Sequence, residues 1–132
     1  MSWELVTPLV ELERAASNRT FAAEFSRDRK DLDAFHWAEG EISISRETIP
    51  FHGRLTPGPD YKLYLSPEFV ETETEFMKLK PQMALVGDAN TFDNFIVALP
   101  RDTDPSKYNT AIVWCESFGQ FITSAKYQTT RN

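Results

Sequence analysis

Cys115 is the side chain in this sequence whose type best suits redox chemistry, and it is the single cysteine among 132 residues. One thiol cannot form a disulfide within its own chain, a zinc site with two or more thiolates, or a Cys-x-x-Cys-His haem attachment. It lies in a predicted strand beside Glu116, whose negative charge disfavours a reactive thiolate. Three roles stay open: a packed thiol, a ligand of a soft metal or haem iron, and a thiol that a partner oxidises.

The other groups that could carry chemistry form no established pattern. His36 and His52 are the only histidines, and neither has a second ligand at metal-binding spacing. The acidic stretch 88–94 lacks the glycine of a calcium loop, and Leu99 stands where the bidentate glutamate belongs. There is no Gly-x-Ser-x-Gly turn and no glycine-rich phosphate loop. Cys115 is therefore the candidate redox thiol and the candidate cofactor ligand, and no metal site is predicted.

Length, composition and charge narrow the class of protein. The chain is long enough for one domain with its own core, and its 41% hydrophobic content is that of a globular protein. Fourteen Lys and Arg against twenty Asp and Glu give a net charge of −6, which repels phosphate backbones and anionic membrane surfaces. We therefore expect no nucleic-acid partner.

Contact with a membrane could come only through a segment outside this sequence. No uninterrupted apolar run approaches the roughly 18–20 residues that span a bilayer. Residues 1–4 have neither the basic region nor the apolar region of a signal peptide. A targeting segment ahead of residue 1 stays open.

The N-terminal third reads as a helical spacer or arm over residues 1–38. Thr7 as N-cap and Pro8 in the first turn indicate a helix start. Leu9, Leu12 and Ala16 then follow at helical spacing and give a narrow apolar stripe. The charged stretch 20–33 has no clear period, because Phe21 and Phe25, four residues apart, are its only helical signal.

From Glu39 the apolar period changes to two, which indicates strands. Residues 111–115 are apolar on both faces, as in a central strand. About five to seven short strands with turns between them favour an antiparallel β-sandwich or barrel-like domain over 39–132. Seven residues on apolar strand faces should be buried together: Ile42, Ile44, Leu63, Leu65, Val97, Val113 and Phe121.

Two connections have recognisable local signals. Residues 56–59, Thr-Pro-Gly-Pro, predict a type II turn with Gly58 at positive φ. Residues 68–80 are an acidic insertion in which Thr72 and Glu75 match a capping box, so we expect one or two helical turns there. Its carboxylates should form a solvated face.

The strand 58–66, the run 108–118 with its Trp-Cys dipeptide, and the following Phe121 and Ala125 together resemble the DM-thirteen domain. This domain is often labelled "electron transfer DM-thirteen" and also occurs in Skeletor-type proteins. The resemblance covers roughly residues 39–128, about two thirds of the chain. The Trp-Cys element with its following phenylalanine is the most specific part.

The resemblance implies a β-sandwich comparable with modules that bind haem or sugars, and a redox role centred on Cys115. It also implies a bacterial single-domain member, periplasmic or otherwise extracytoplasmic, with an N-terminal anchor in the cytoplasmic membrane. Two functions follow. The first is an accessory, non-enzymatic redox or electron-transfer module, in which Cys115 meets an unknown redox partner or holds a prosthetic group such as haem. The second is an extracytoplasmic binding module for a small molecule, sugar or protein, in which Cys115 is merely packed.

Overall fold

The computed structural model describes residues 7–26, 37–89 and 91–128. These residues form a mainly β fold with a short N-terminal helix and a second small helix. The helices are α1 (Leu9–Ala16) and α2 (Glu73–Leu79); the strands are β1 (Phe21–Phe25), β2 (Ala38–Ile44), β3 (Thr48–Leu55), β4 (Tyr61–Ser66), β5 (Ala84–Asp88), β6 (Phe95–Ala98), β7 (Thr110–Cys115) and β8 (Gln120–Lys126). Single 3₁₀ turns occupy Lys80–Gln82 and Pro105–Lys107.

The strands make two antiparallel four-stranded sheets, with orders β1-β2-β3-β6 and β5-β4-β7-β8. One apolar core lies between them and draws on both sheets. Six of the seven residues predicted to be buried together belong to it, because each alternates onto the inner face of its strand: Ile42, Ile44, Leu63, Leu65, Val97 and Val113. The predicted β-sandwich architecture is confirmed.

Phe121 is buried, but on the opposite face from the one predicted. Val113 pairs with Thr123 while Trp114 pairs with Phe121, so Ile122 is one extra residue on β8. This β-bulge reverses the inward and outward alternation of the strand. Phe121 therefore packs with Trp114 in a second cluster on the outer face of the sheet.

Helix α2 covers that outer face. Thr72 caps it by accepting a hydrogen bond from the backbone N–H of Glu75, as the capping box predicts. Phe76 is fully buried and stacks on the Trp114 indole with ring centroids 3.8 Å apart. The segment 68–80 thus has an acidic outer surface and a buried apolar face. Burial of the apolar face stabilises the helix.

Strand β1 extends the first sheet N-terminally beyond the boundary predicted between residues 38 and 39. Its register with β2 runs from Phe21 opposite Ile44 to Phe25 opposite Gly40. Phe25 is buried in the core. A spacing of four fits a strand face as well as a helix face, so the two phenylalanines could not decide between them. Helix α1 begins one residue later than predicted, because Pro8 and not Thr7 is its N-cap, and no side chain caps it. The helix lies against β3 and buries Leu12.

Candidate functional site

Cys115 is the last residue of β7, at one end of the sandwich. Its side chain is 2% exposed and belongs to the core between the sheets. It lies opposite Tyr61 of β4 on one side and Gln120 of β8 on the other. Because successive side chains of a strand point to opposite faces of the sheet, the neighbouring Trp114 lies on the outer face.

Residues 56–60, the 56–60 loop, fold over the end of β7. The Cys115 thiol donates to the Pro59 carbonyl with Sγ 3.0 Å from the oxygen. The backbone N–H of Glu116 donates to the Asp60 carbonyl at 3.0 Å. The loop therefore contacts Cys115 and its neighbour through two consecutive carbonyls.

Tyr61 anchors the other end of this loop. Its hydroxyl donates to the Thr56 carbonyl at 2.6 Å, and burial raises the pKa of Tyr61, so the phenol stays protonated and able to donate. Gly58 packs against the same ring: a Cβ there would lie 2.5 Å from the phenolic oxygen. Gly58 does not adopt a positive φ, so the prediction that it would is wrong. Among the described residues the loop's positive φ belongs to Asp60, at 57°.

Side chains next to the loop hold Asp60 in that conformation. Its carboxylate accepts from the Ser117 hydroxyl at 3.0 Å and lies 3.2 Å from the Lys62 ammonium. Lys62 also pairs with Asp88 of β5. Hydrogen bonds from Lys62 and Ser117 lower the pKa of Asp60, so the carboxylate remains charged in the folded protein at neutral pH.

Haem ligation, one of the roles that the sequence leaves open, does not fit the surroundings of Cys115. The sulfur faces packed core side chains and its proton is engaged by Pro59. A cavity of about 290 Å³ lies next to Tyr61; it is lined by Gly58, Asp60, Tyr61, Asp88, Ala89 and Phe92, and not by Cys115. A haem iron could reach the sulfur only after the end of the sandwich opened.

The histidines do not join this site. His52 is exposed on β3, opposite Glu41 of β2, and His36 lies outside the described residues. Within the described ranges, no three His, Cys, Asp or Glu side chains come together as a metal site. Across the same ranges, no helix is long and apolar enough to cross a membrane.

A second group of polar side chains flanks Cys115 on the outer face. The Tyr64 hydroxyl donates to the Glu116 carboxylate, and the Lys80 ammonium lies 3.4 Å from the other carboxylate oxygen. Lys80 also lies about 6 Å from the Tyr64 and Phe76 ring centroids. This cluster could not be predicted from the sequence, because its members are distant from one another along the chain.

No curated protein and no solved structure matches this sequence. One family model matches most of the chain, over residues 31–127, and its description is electron transfer DM13. The match includes the 56–60 loop, Cys115 and both tyrosines described above. The chain therefore belongs to the electron transfer DM13 family.

Proposed function

We propose that this protein is an accessory, non-enzymatic module of an electron-transfer system, and that Cys115 is its gated redox thiol. The observation that supports the proposal best is the Pro59 carbonyl over the Cys115 sulfur. Because the thiol is buried at the end of a strand under a five-residue loop, we propose that the end of the sandwich opens at this loop and exposes it. The family description supports the broader electron-transfer role.

Opening the loop would allow exchange with a disulfide of a partner protein. The S–H proton of Cys115 passes to water, a new S–S bond forms between Cys115 and one partner sulfur, and the partner's own S–S bond breaks so that its other sulfur departs as a thiolate. Cys115 is the only cysteine in the chain, so a thiol of a second molecule must resolve the mixed disulfide. Closing the loop over Cys115 protects the reduced thiol between these events.

We also propose that the protein works outside the cytoplasm, held to the cytoplasmic membrane by a segment N-terminal to the sandwich. Family resemblance supports this, as does the chemistry: disulfide exchange of a lone thiol suits an oxidising compartment. Fractionation of cells that express the full-length gene tests it. Recovery of all the protein in the soluble cytoplasm would contradict the proposal.

The rate at which the thiol reacts with a reagent tests directly whether the 56–60 loop acts as a gate, that is, whether it controls access to Cys115. We expect Cys115 to react slowly with a thiol reagent in the native protein and rapidly after unfolding, while Cys115→Ser gives no labelling. Incubation with a small disulfide should give one mixed adduct by mass spectrometry, at a rate that does not depend on global stability. A native thiol as reactive as a free peptide thiol rules out the gate. A thiol that reacts only on global unfolding rules out the redox role.

A second function, binding of a small polar molecule, has one specific observation in its favour. A groove of about 720 Å³ lies between α1 and the β2–β3 turn, within the size range of ligand sites. Arg14 and Arg46 line it together with Glu11 and Glu47, so it suits a ligand with groups of both charges. Thermal-shift screening of amino acids and sugars, with Arg46→Ala as the comparison, tests this alternative.

A further inference from the structure

The buried tyrosines of this protein differ in what accepts their hydroxyl protons. Tyr61 donates to the Thr56 carbonyl and Tyr127 to the Pro105 carbonyl, each at 2.6 Å. A backbone carbonyl accepts a hydrogen bond but cannot take up a proton at neutral pH. Tyr64 donates instead to the carboxylate of Glu116, which can.

This difference decides which phenol can be oxidised with the smaller free-energy change. Loss of one electron makes a tyrosine strongly acidic, so the proton must leave with the electron unless the site tolerates a cation. Lys80 lies about 6 Å from the Tyr64 ring centroid and opposes such a cation. Burial and the Glu116 hydrogen bond raise the pKa of Tyr64, so prior deprotonation to phenolate does not occur at neutral pH. The route left is joint transfer of electron and proton.

We propose that Tyr64 and Glu116 form a second redox site, at which Tyr64 gives one electron to a high-potential metal centre of a partner protein. The phenolic O–H bond breaks, an O–H bond forms on Glu116, and the metal falls by one oxidation state. A neutral tyrosyl radical remains. A one-electron donor such as a ferrous haem restores the phenol when Glu116 returns the proton.

The surroundings of Tyr64 suit a radical that is protected yet close to the surface. Tyr64 is 5% exposed, whereas the side chains of Glu116 and Lys80 are 27% and 35% exposed. Its ring contacts Phe76 edge-on at 5.2 Å, and Phe76 stacks on Trp114. The aromatic contacts thus run from Tyr64 across the outer face to Trp114, the residue bonded to Cys115. The Tyr64 site needs no thiol, so it goes beyond the function proposed for Cys115.

Photo-oxidation of the full chain tests this proposal, with flash-generated ruthenium(III) tris-bipyridine as the oxidant in place of the metal centre. Electron paramagnetic resonance should show a neutral tyrosyl radical. Tyr64→Phe should reduce its yield by at least about tenfold, and the matched Tyr127→Phe should leave it unchanged. Glu116→Gln keeps a hydrogen-bond acceptor but removes the base, so we expect oxidation to slow at least about tenfold.

The solvent isotope effect separates proton transfer from a structural role of the pair. The parent should be oxidised more slowly in deuterated water, and Glu116→Gln should show a different isotope effect, because its phenolic proton must pass to water. A Glu116→Gln protein that matches the parent in rate and isotope effect overturns the proposal, as does a radical centred on another residue. Glu116→Gln carries the test if Tyr64→Phe fails to fold. Cys115→Ser should keep the radical, so failure of the thiol mechanism and failure of the Tyr64 site are distinguishable.

Discussion

Tyr61 lies directly opposite Cys115 in the β4–β7 pair, and its hydroxyl bonds to the first residue of the loop that covers the Cys115 sulfur. One side chain thus lies beside the cysteine in the sheet and also hydrogen-bonds to the loop that covers its thiol. The stability of the closed loop is therefore linked to the Tyr61 hydroxyl.

Tyr61→Phe should open the gate without disturbing the core, because the ring remains and only the bond to Thr56 is lost. Loss of about 1 kcal/mol from the closed state should raise the rate of native Cys115 labelling roughly fivefold. Tyr127→Phe removes an equivalent bond at the other end of the sandwich and should leave the rate unchanged. Equal rates in both variants would show that Tyr61 does not hold the loop.

Asp60 predicts a specific pH dependence of stability. Lys62 and Ser117 lower its pKa in the folded protein below the usual 3.8. A lowered pKa stabilises the fold above the unfolded value, and that contribution is lost as pH falls through the folded value. Asp60→Asn retains tolerance of positive φ but removes the charge. Its melting temperature should lie below the parent's at neutral pH, and the gap should close as pH falls below 3.8. A constant gap across this range would contradict the assignment.

Val113→Asp should unfold the domain. Val113 is fully buried at the centre of β7, between β4 and β8, and an unpaired carboxylate there costs about 4 kcal/mol or more. Val10→Asp is the matched control, because Val10 is 70% exposed on α1. Urea unfolding of both variants measures the difference. A Val113→Asp protein that melts within a few degrees of the parent would refute the burial of β7.

Phe76→Ala should weaken the outer layer of the sandwich. It removes the ring that stacks on Trp114 and should lower the free energy of unfolding by about 3–5 kcal/mol. The adjacent Met77 is 54% exposed, and Met77→Ala should change stability by less than about 0.5 kcal/mol. Tryptophan fluorescence during urea unfolding follows both. Similar effects of the two substitutions would show that α2 does not cover the sheet.

The sequence predicted what depends on local pattern. The apolar alternation of β4, the doubly buried β7 and the capping box of α2 all appear in the structure. Strand β3 was not predicted, because Pro50 and Gly53 interrupt its pattern. The β2–β3 ladder runs from Phe51 to Leu55, so Pro50, which has no N–H to donate, stands outside it.

The candidate site was predictable only in part. Residue type alone selected Cys115, and the apolar character of both faces of residues 111–115 agrees with its burial. The carbonyl of Pro59 over the sulfur was not predictable, since a backbone group leaves no mark in the sequence. The Tyr64–Glu116 bond joins residues 52 positions apart, and only the pairing of β4 with β7 brings them together.

The extra residue at Ile122 has a consequence for comparing relatives of this protein. From the turn to Phe121, successive residues of β8 alternate between the two faces of the sheet. Because Ile122 is an extra residue, each residue after it lies on the face opposite to the one that this alternation predicts. In a relative that lacks this residue, each later position of β8, counted from the turn, would lie on the opposite face of the sheet from the same position here. Alignments of such sequences should therefore place a single-residue gap at Ile122, not in the 116–119 turn. If the gap is misplaced, a polar residue of the outer face is aligned with a core position and is mistaken for a substitution in the core.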